Sequence, residues 1–174
     1  PTGHTVVCFV DDIICRGSEE ESARFYERMG KRFEVKDPNF LSPISPLTFV
    51  GFEISCEVVN GKVVNMIDQY TSIMDSIREW GEAYKPSVKC PMPDSKVLYS
   101  DGTLLSDERA SRYRSMVGRL NYYSAMTRYD IACAVSKLSQ FSSAPTVSAE
   151  LGLQRVVHYL MNTPRFKLST VHSL

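Results

Sequence analysis

Residues 5–17 read TVVCFVDDIICRG, an apolar and β-branched run broken at its centre by Asp11 and Asp12. Burying one ionised carboxylate is costly, and two side by side repel each other, so one strand running straight through the pair is unfavourable. Splitting the run removes the conflict. Residues 5–10 and 13–16 then read as two short strands of a tight hairpin with the two aspartates at its tip.

The pattern extends outward from that hairpin. Ser18 and Glu21 form an S-x-x-E capping box, and Ala23, Tyr26, Met29 and Phe33 follow at helical spacing, which predicts a helix from Glu19 to Phe33. Residues 37–46, DPNFLSPISP, hold three prolines and read as a loop. LTFVGFEIS is strand-like, and VVNGKVVNM supplies an Asn-Gly turn, so 47–67 should contain at least one further hairpin. Tyr70, Ile73, Met74, Ile77 and Trp80 mark an amphipathic helix ended by Gly81. Residues 85–105 mix Pro, Ser, Asp and Gly and read as a connector at a domain boundary. Three helices are then expected: Ser106 to Met126, Asp130 to Ser142, and Pro145-Thr146 to Asn162. The fold class is α+β: a small antiparallel sheet with packed helices over 1–84, the connector, and a helical bundle over 106–174.

Composition sets bounds. The chain has 174 residues, 43% of them hydrophobic, which is enough for one sizeable core or two small lobes. No run approaches the roughly 18 apolar residues of a membrane span, and no signal peptide is visible. Pro1 in place of an initiator Met suggests a cut from something longer. The five cysteines are scattered and never spaced CxxC, which argues against a disulfide framework or zinc site and fits a reducing, intracellular setting. The net charge is zero, yet residues 1–108 hold 11 Lys+Arg against 18 Asp+Glu, and residues 109–174 hold 9 against 2. A basic C-terminal third points to a polyanionic partner.

Adjacent carboxylates on a rigid turn offer oxygens to Mg²⁺, a hard cation that keeps phosphate and water in its shell and serves phosphoryl transfer. A solvated Asp-Asp turn is the alternative. On the helix beginning at Ser106, Arg112, Ser115, Arg119, Tyr122 and Met126 share one stripe, and Tyr113, Val117, Leu120 and Ser124 share another that can face a bundle. Gly118 inside that helix costs about 1 kcal/mol relative to Ala, which a close approach to another backbone or a minor groove would explain. His4, His158 and His172 are isolated from one another and suggest no metal or nucleophile.

FVDD in the hairpin resembles the Y-x-D-D motif of reverse transcriptases, with Phe9 in place of Tyr. MGKRFEVKD, FVGFEIS and IDQYTSIM follow in the order seen in copia-type retrotransposon polymerases, and so do YRSMVGRLNYYSAMTRYDIACAVSKLSQFSSAPT and RVVHYLMNTP. The resemblance covers nearly the whole chain. It implies a palm-like part followed by a thumb-like bundle, with Asp11 as metal-binding carboxylate, Asp12 as its neighbour, and Phe9 near the nucleotide and primer end. It further implies a primer-grip role for Phe49, Gly51 and Phe52, a basic residue near the triphosphate at Lys31 or Lys36, and nucleic-acid contacts at Arg112, Gly118, Arg119, Asn121 and Tyr122.

The implied parent is an RNA-directed DNA polymerase using two Mg²⁺ ions, an RNA/DNA template-primer and deoxynucleotide triphosphates, with no membrane partner. In that family the first catalytic carboxylate and the fingers precede the Asp-Asp hairpin, and ribonuclease H lies downstream. The expectation is therefore a polymerase segment inactive by itself. The alternative is a truncated or domesticated relic acting as a nucleic-acid or protein binding module.

Overall fold

A computed structural model describes residues 3–81, 88–92, 98–99 and 101–172. It has the expected α+β character, with antiparallel sheets and five helices among the described residues. The chain divides into two compact units: one holds the residues up to Ile67 and those from Ser169 on, the other Asp68–Leu168.

In the first unit, β1 (Thr5–Phe9) and β2 (Asp12–Arg16) pair antiparallel, with Phe9 opposite Asp12 and Cys8 opposite Ile13. The loop is therefore Val10-Asp11, one residue earlier than the expected Asp-Asp centre, and Asp12 is already in the ladder. A two-residue hairpin loop matches strand twist through positive φ, here carried by Val10 at 54°. Helix α1 (Glu19–Gly30) has the full capping box: Ser18 Oγ accepts from the Glu21 amide at 3.2 Å, and the Glu21 carboxylate accepts from the Ser18 amide at 3.3 Å. It stops three residues short of Phe33, which stays exposed. Phe25 packs its ring 5.8 Å from His4, and the Tyr26 hydroxyl donates to the Lys36 carbonyl, which ties down the chain beyond the helix.

Strands β3 (Leu47–Phe49), β4 (Phe52–Val59) and β5 (Lys62–Asp68) form two successive hairpins. Their loops, Val50-Gly51 and Asn60-Gly61, each carry two positive φ angles, as a type I′ turn requires. A fourth strand, β6 (Leu168–His172), joins the edge at β5; no turn or periodicity signal announced it. Cys56 is the only buried side chain among the described residues up to Ile67.

The second unit is helical: α2 (Tyr70–Trp80), α3 (Asp107–Met126), α4 (Ala132–Ser139) and α5 (Val147–Asn162). Gly81 closes α2 in the left-handed conformation, φ 77°, and its amide donates to the Ile77 carbonyl at 3.1 Å. Helix α2 belongs to the bundle rather than to a sheet lobe ending at residue 84. Ile73, Ile77 and Trp80 enter the bundle core, and the α3 residue Tyr123 donates its hydroxyl to the Ser72 carbonyl at 2.9 Å. The expected stripe of α3 is buried as read: Tyr113 and Leu120 are fully inaccessible, and Val117 and Ser124 nearly so. The helix expected over 130–142 is a short 3₁₀ turn (Tyr129–Ile131) followed by α4. Thr146 caps α5 by accepting from the Ala149 amide at 3.2 Å.

Residues 82–84, the end of the expected first part, and 85–87, 93–97 and 100 of the expected connector lie outside the described residues. Its described part is a strap on the bundle. Leu98 and Leu105 are buried, the Leu105 amide donates to the Pro145 carbonyl at 2.9 Å, and the Asp101 amide donates to Ser148 Oγ at 2.7 Å. Gly152 makes room for that strap, since a Cβ there would stand 2.5 Å from the Leu98 side chain.

Candidate functional site

Two groups of residues carry chemistry, one in each unit. At the hairpin tip, Asp11 closes the loop and Asp12 opens β2, and both side chains are exposed. Phe9 faces Asp12 across the ladder, so both project from the same face, and the ring is 55% exposed. The tip offers hard carboxylate oxygens beside an accessible aromatic surface, a donor set that suits Mg²⁺ in kind. Among the described residues no group of three or more His, Cys, Asp and Glu converges, so the pair supplies only part of a coordination shell.

The β3–β4 turn explains Gly51 locally. Its φ of 79° is the second positive φ of the turn, and Phe49 and Phe52 are the half-buried closing pair. Close backbone approach is thus not required to account for this glycine. Lys31, the residue that follows α1, pairs with Glu27 at 2.9 Å, and the side chains of Lys31 and Lys36 are both exposed.

The second group lies on α3. The Arg112 guanidinium sits 4.2 Å from the centre of the Trp80 ring and donates to the Trp80 carbonyl, so it caps the C-terminus of α2. Arg119 grips the Glu79 carboxylate with both terminal nitrogens, one of them at 3.0 Å, and reaches Ser76 Oγ at 3.5 Å. Its hydrogen bonds and charge hold the Glu79 carboxyl below the usual carboxylate range, and the same hydrogen bond to Glu79 raises Arg119. Asn121 donates to Ser139 Oγ at 3.1 Å, and Tyr122 is 41% exposed beside Tyr123. At Gly118 a Cβ would meet no described atom within 4 Å, so no neighbour in this chain requires the glycine. Between α2 and α3 runs an open groove of about 460 Å³, lined by Ser76, Glu79, Trp80, Ser111, Arg112, Ser115 and Arg119 among others.

Sequence reading placed Arg112 and Arg119 on one stripe but missed Trp80 and Glu79 as their seats. The opposite charge balances of the two parts of the chain were the available signal, because Glu79–Arg119 and Asp68–Lys167 are pairs across that division. Two further cations of the basic part are paired with its own two carboxylates. Arg109 holds Glu150, and Arg128, 1% exposed, binds Asp130 at 3.0 and 2.8 Å and Thr163 at 3.0 and 2.6 Å. Burial pushes the Asp130 carboxyl up, but the hydrogen bonds and charge of Arg128, aided by the Tyr159 hydroxyl, outweigh it and leave Asp130 below its ordinary value.

No family model matches the chain, and no solved structure matches it. Among curated proteins it is similar to the Retrovirus-related Pol polyprotein from transposon RE1 of Arabidopsis thaliana, 33% identical over 161 residues, which are 91% of this chain and 10% of the relative. The Retrovirus-related Pol polyprotein from transposon RE2 of the same plant is 32% identical over 161 residues, with the same shares covered. Secreted RxLR effector protein 161 of Plasmopara viticola is 43% identical over 56 residues, 32% of this chain and 39% of its own. The chain spans about a tenth of the length of the Pol polyproteins it matches, and over most of its own length it is distantly similar to them.

Proposed function

We propose that the chain is the palm-and-thumb segment of a copia-type reverse transcriptase, one part of a Pol polyprotein that acts inside the cell as an RNA-directed DNA polymerase. The observation that carries this reading is the tight β1–β2 hairpin, which exposes Asp11 and Asp12 at its tip beside the Phe9 ring. The distant similarity to two Pol polyproteins across 91% of the chain supports it.

In this reading Asp11 and Asp12 would hold Mg²⁺, which when bound supplies activation of the primer hydroxyl and neutralisation of pyrophosphate charge. The chain's own contribution is to position and to bind. The rigid two-residue turn fixes the carboxylates, Phe9 gives an apolar surface to the nucleotide and primer end, Phe49, Gly51 and Phe52 form the primer-side hairpin, and Lys36 offers a cation to the triphosphate. The exposed face of α3 at Gly118, Arg119 and Tyr122, with Arg112 and Asn121 at its margins, lies along the template-primer. Two carboxylates cannot hold two ions with both reacting oxygens in line, so the 174-residue chain alone does not polymerise.

Primer extension with Mg²⁺ tests this. The expected result is no synthesis by the chain alone, synthesis by the full polyprotein polymerase, and loss of that synthesis on Asp11→Asn. Robust extension by the isolated chain sinks the inactivity claim, and an Asp11→Asn polymerase of normal activity sinks the site.

A second reading is a non-catalytic binding module for nucleic acid or protein. It is favoured by the placement of nearly all the buried core in the unit without the carboxylates, and by the match of a 56-residue stretch to a protein that bears no Pol name. It predicts duplex binding that Asp11→Asn leaves unchanged.

A further inference from the structure

We infer that Glu79 is a built-in competitor for the nucleic-acid backbone on the α3 face: its carboxylate occupies the Arg119 guanidinium, and a phosphate must displace it to bind there. The inference rests on the reading of that face as a template-primer surface, and it adds the contact that regulates it.

The geometry is that of phosphate recognition already satisfied from within. Arg119 presents two terminal nitrogens to two carboxylate oxygens, the fork-to-fork arrangement by which guanidinium also binds a phosphodiester. Both partners are open to exchange, since the Glu79 side chain is 67% exposed and that of Arg119 36%. An ion pair this accessible is weak, so duplex phosphate can replace it without unfolding α2. Arg112 is not available for the same exchange: it is stacked on Trp80 and bonded to that residue's carbonyl. Arg119 is therefore the cation of the groove that switches between an internal and an external anion. Ser111 and Ser115 along the groove are neutral donors for the incoming phosphate, whereas Ser76 Oγ is buried and stays bonded to the Tyr123 hydroxyl at 2.8 Å. Displaced Glu79 then faces solvent uncompensated and takes up a cation, which cancels part of the counterion release that drives binding.

The experiment measures binding of a short fluorescein-labelled RNA–DNA hybrid to the full chain across a salt series. Glu79→Gln should bind about three- to fivefold tighter, the range in which an exposed pair competes. Its salt slope should steepen by up to about 0.9, the value of one phosphate contact freed of compensating uptake. Glu108→Gln removes one charge from the same groove and sets the size of general repulsion. The deciding step is a double-mutant cycle with Arg119→Gln: if Glu79 acts through Arg119, its substitution gains nothing once Arg119 is gone. A gain for Glu79→Gln no larger than that for Glu108→Gln, or one that persists with Arg119→Gln, overturns the inference while leaving the surface reading intact. Failure of every variant to bind the hybrid at low salt overturns the surface reading itself.

Discussion

The two units share a chain but are built on different physical terms. From Asp68 to Leu168 apolar side chains from four helices and a strap are stripped of solvent around Tyr113, Leu120, Val135, Leu153 and Val157. Up to Ile67 the ladders and turns are well formed, yet β1 exposes Val6, Val7 and Phe9, α1 buries nothing fully, and among the described residues Cys56 alone is buried. Hydrogen-bonded hairpins without a covered apolar face are marginal in water. The chemistry-bearing aspartates thus sit on the weakly supported unit, and stability sits on the other. Local turn chemistry can fix the shape of a site without stabilising it.

The strongest way to break that contrast is to separate the units. Residues 68–168 expressed alone should unfold cooperatively in denaturant with retained near-ultraviolet dichroism, because their ends are already tied by Lys167 to Asp68 at 3.3 Å and by Arg165 over Tyr70. Residues 1–67 alone should show no cooperative transition. A sharp transition in the second piece would mean that its half-buried sheet suffices as a core.

Side-chain truncation sharpens the same contrast. Leu153→Ala empties a fully buried site and should cost about 3–4 kcal/mol. Val7→Ala, on a side chain already 49% exposed, should cost under about 1 kcal/mol in the same denaturation measurement. Comparable losses would place Val7 in a real core.

Arg128 comes next. Removing it as Arg128→Ala takes the guanidinium donors from Asp130 and the Thr163 carbonyl, which keep the Tyr159 hydroxyl and the Phe166 amide respectively, and should cost about 3 kcal/mol, with Arg128→Lys failing to restore the bidentate pair. The pH dependence follows from Asp130. A folded-state value below the unfolded 3.8 means that its contribution is present above 3.8 and is lost as pH falls through the lower folded value. Acid titration of stability should show that loss in the native chain and a smaller one in Arg128→Ala. Equal acid sensitivity in both would remove Arg128 as the cause.

Much of this was legible in residue patterns, and the exceptions have physical reasons. The S-x-x-E box, Asn60-Gly61 and Gly81 were readable because each is a local solution to a local backbone need. The stripe of Tyr113, Val117, Leu120 and Ser124 was readable because helical period and burial coincide. The domain division was not: Ile73, Ile77 and Trp80 announce an apolar face but not which neighbour covers it. The strand β6 and the seats of Arg112 and Arg119 depend on partners some 30 to 100 residues distant, and no spacing rule reaches that far. At the site, exposure of Asp11 and Asp12 was readable, but the register was not. Two adjacent aspartates suit a turn better than Val10 does, and the ladder nevertheless puts the valine there.

That choice of Val10 yields the smallest and most local test. At φ 54° a β-branched residue stands in the left-handed region, where an L side chain costs roughly 1–2 kcal/mol. Val10→Gly removes that cost but gives the unfolded chain back about 0.4–1 kcal/mol of freedom. The net gain should therefore lie between zero and about 1.6 kcal/mol and be confined to the hairpin. Amide exchange across Phe9 and Asp12 should slow, while exchange in α3 and α5 stays unchanged, since Val10 is 85% exposed and supports no core. Faster exchange at those two amides would mean that the strained valine holds the tip in place, and that the carboxylates depend on the strain rather than merely tolerating it.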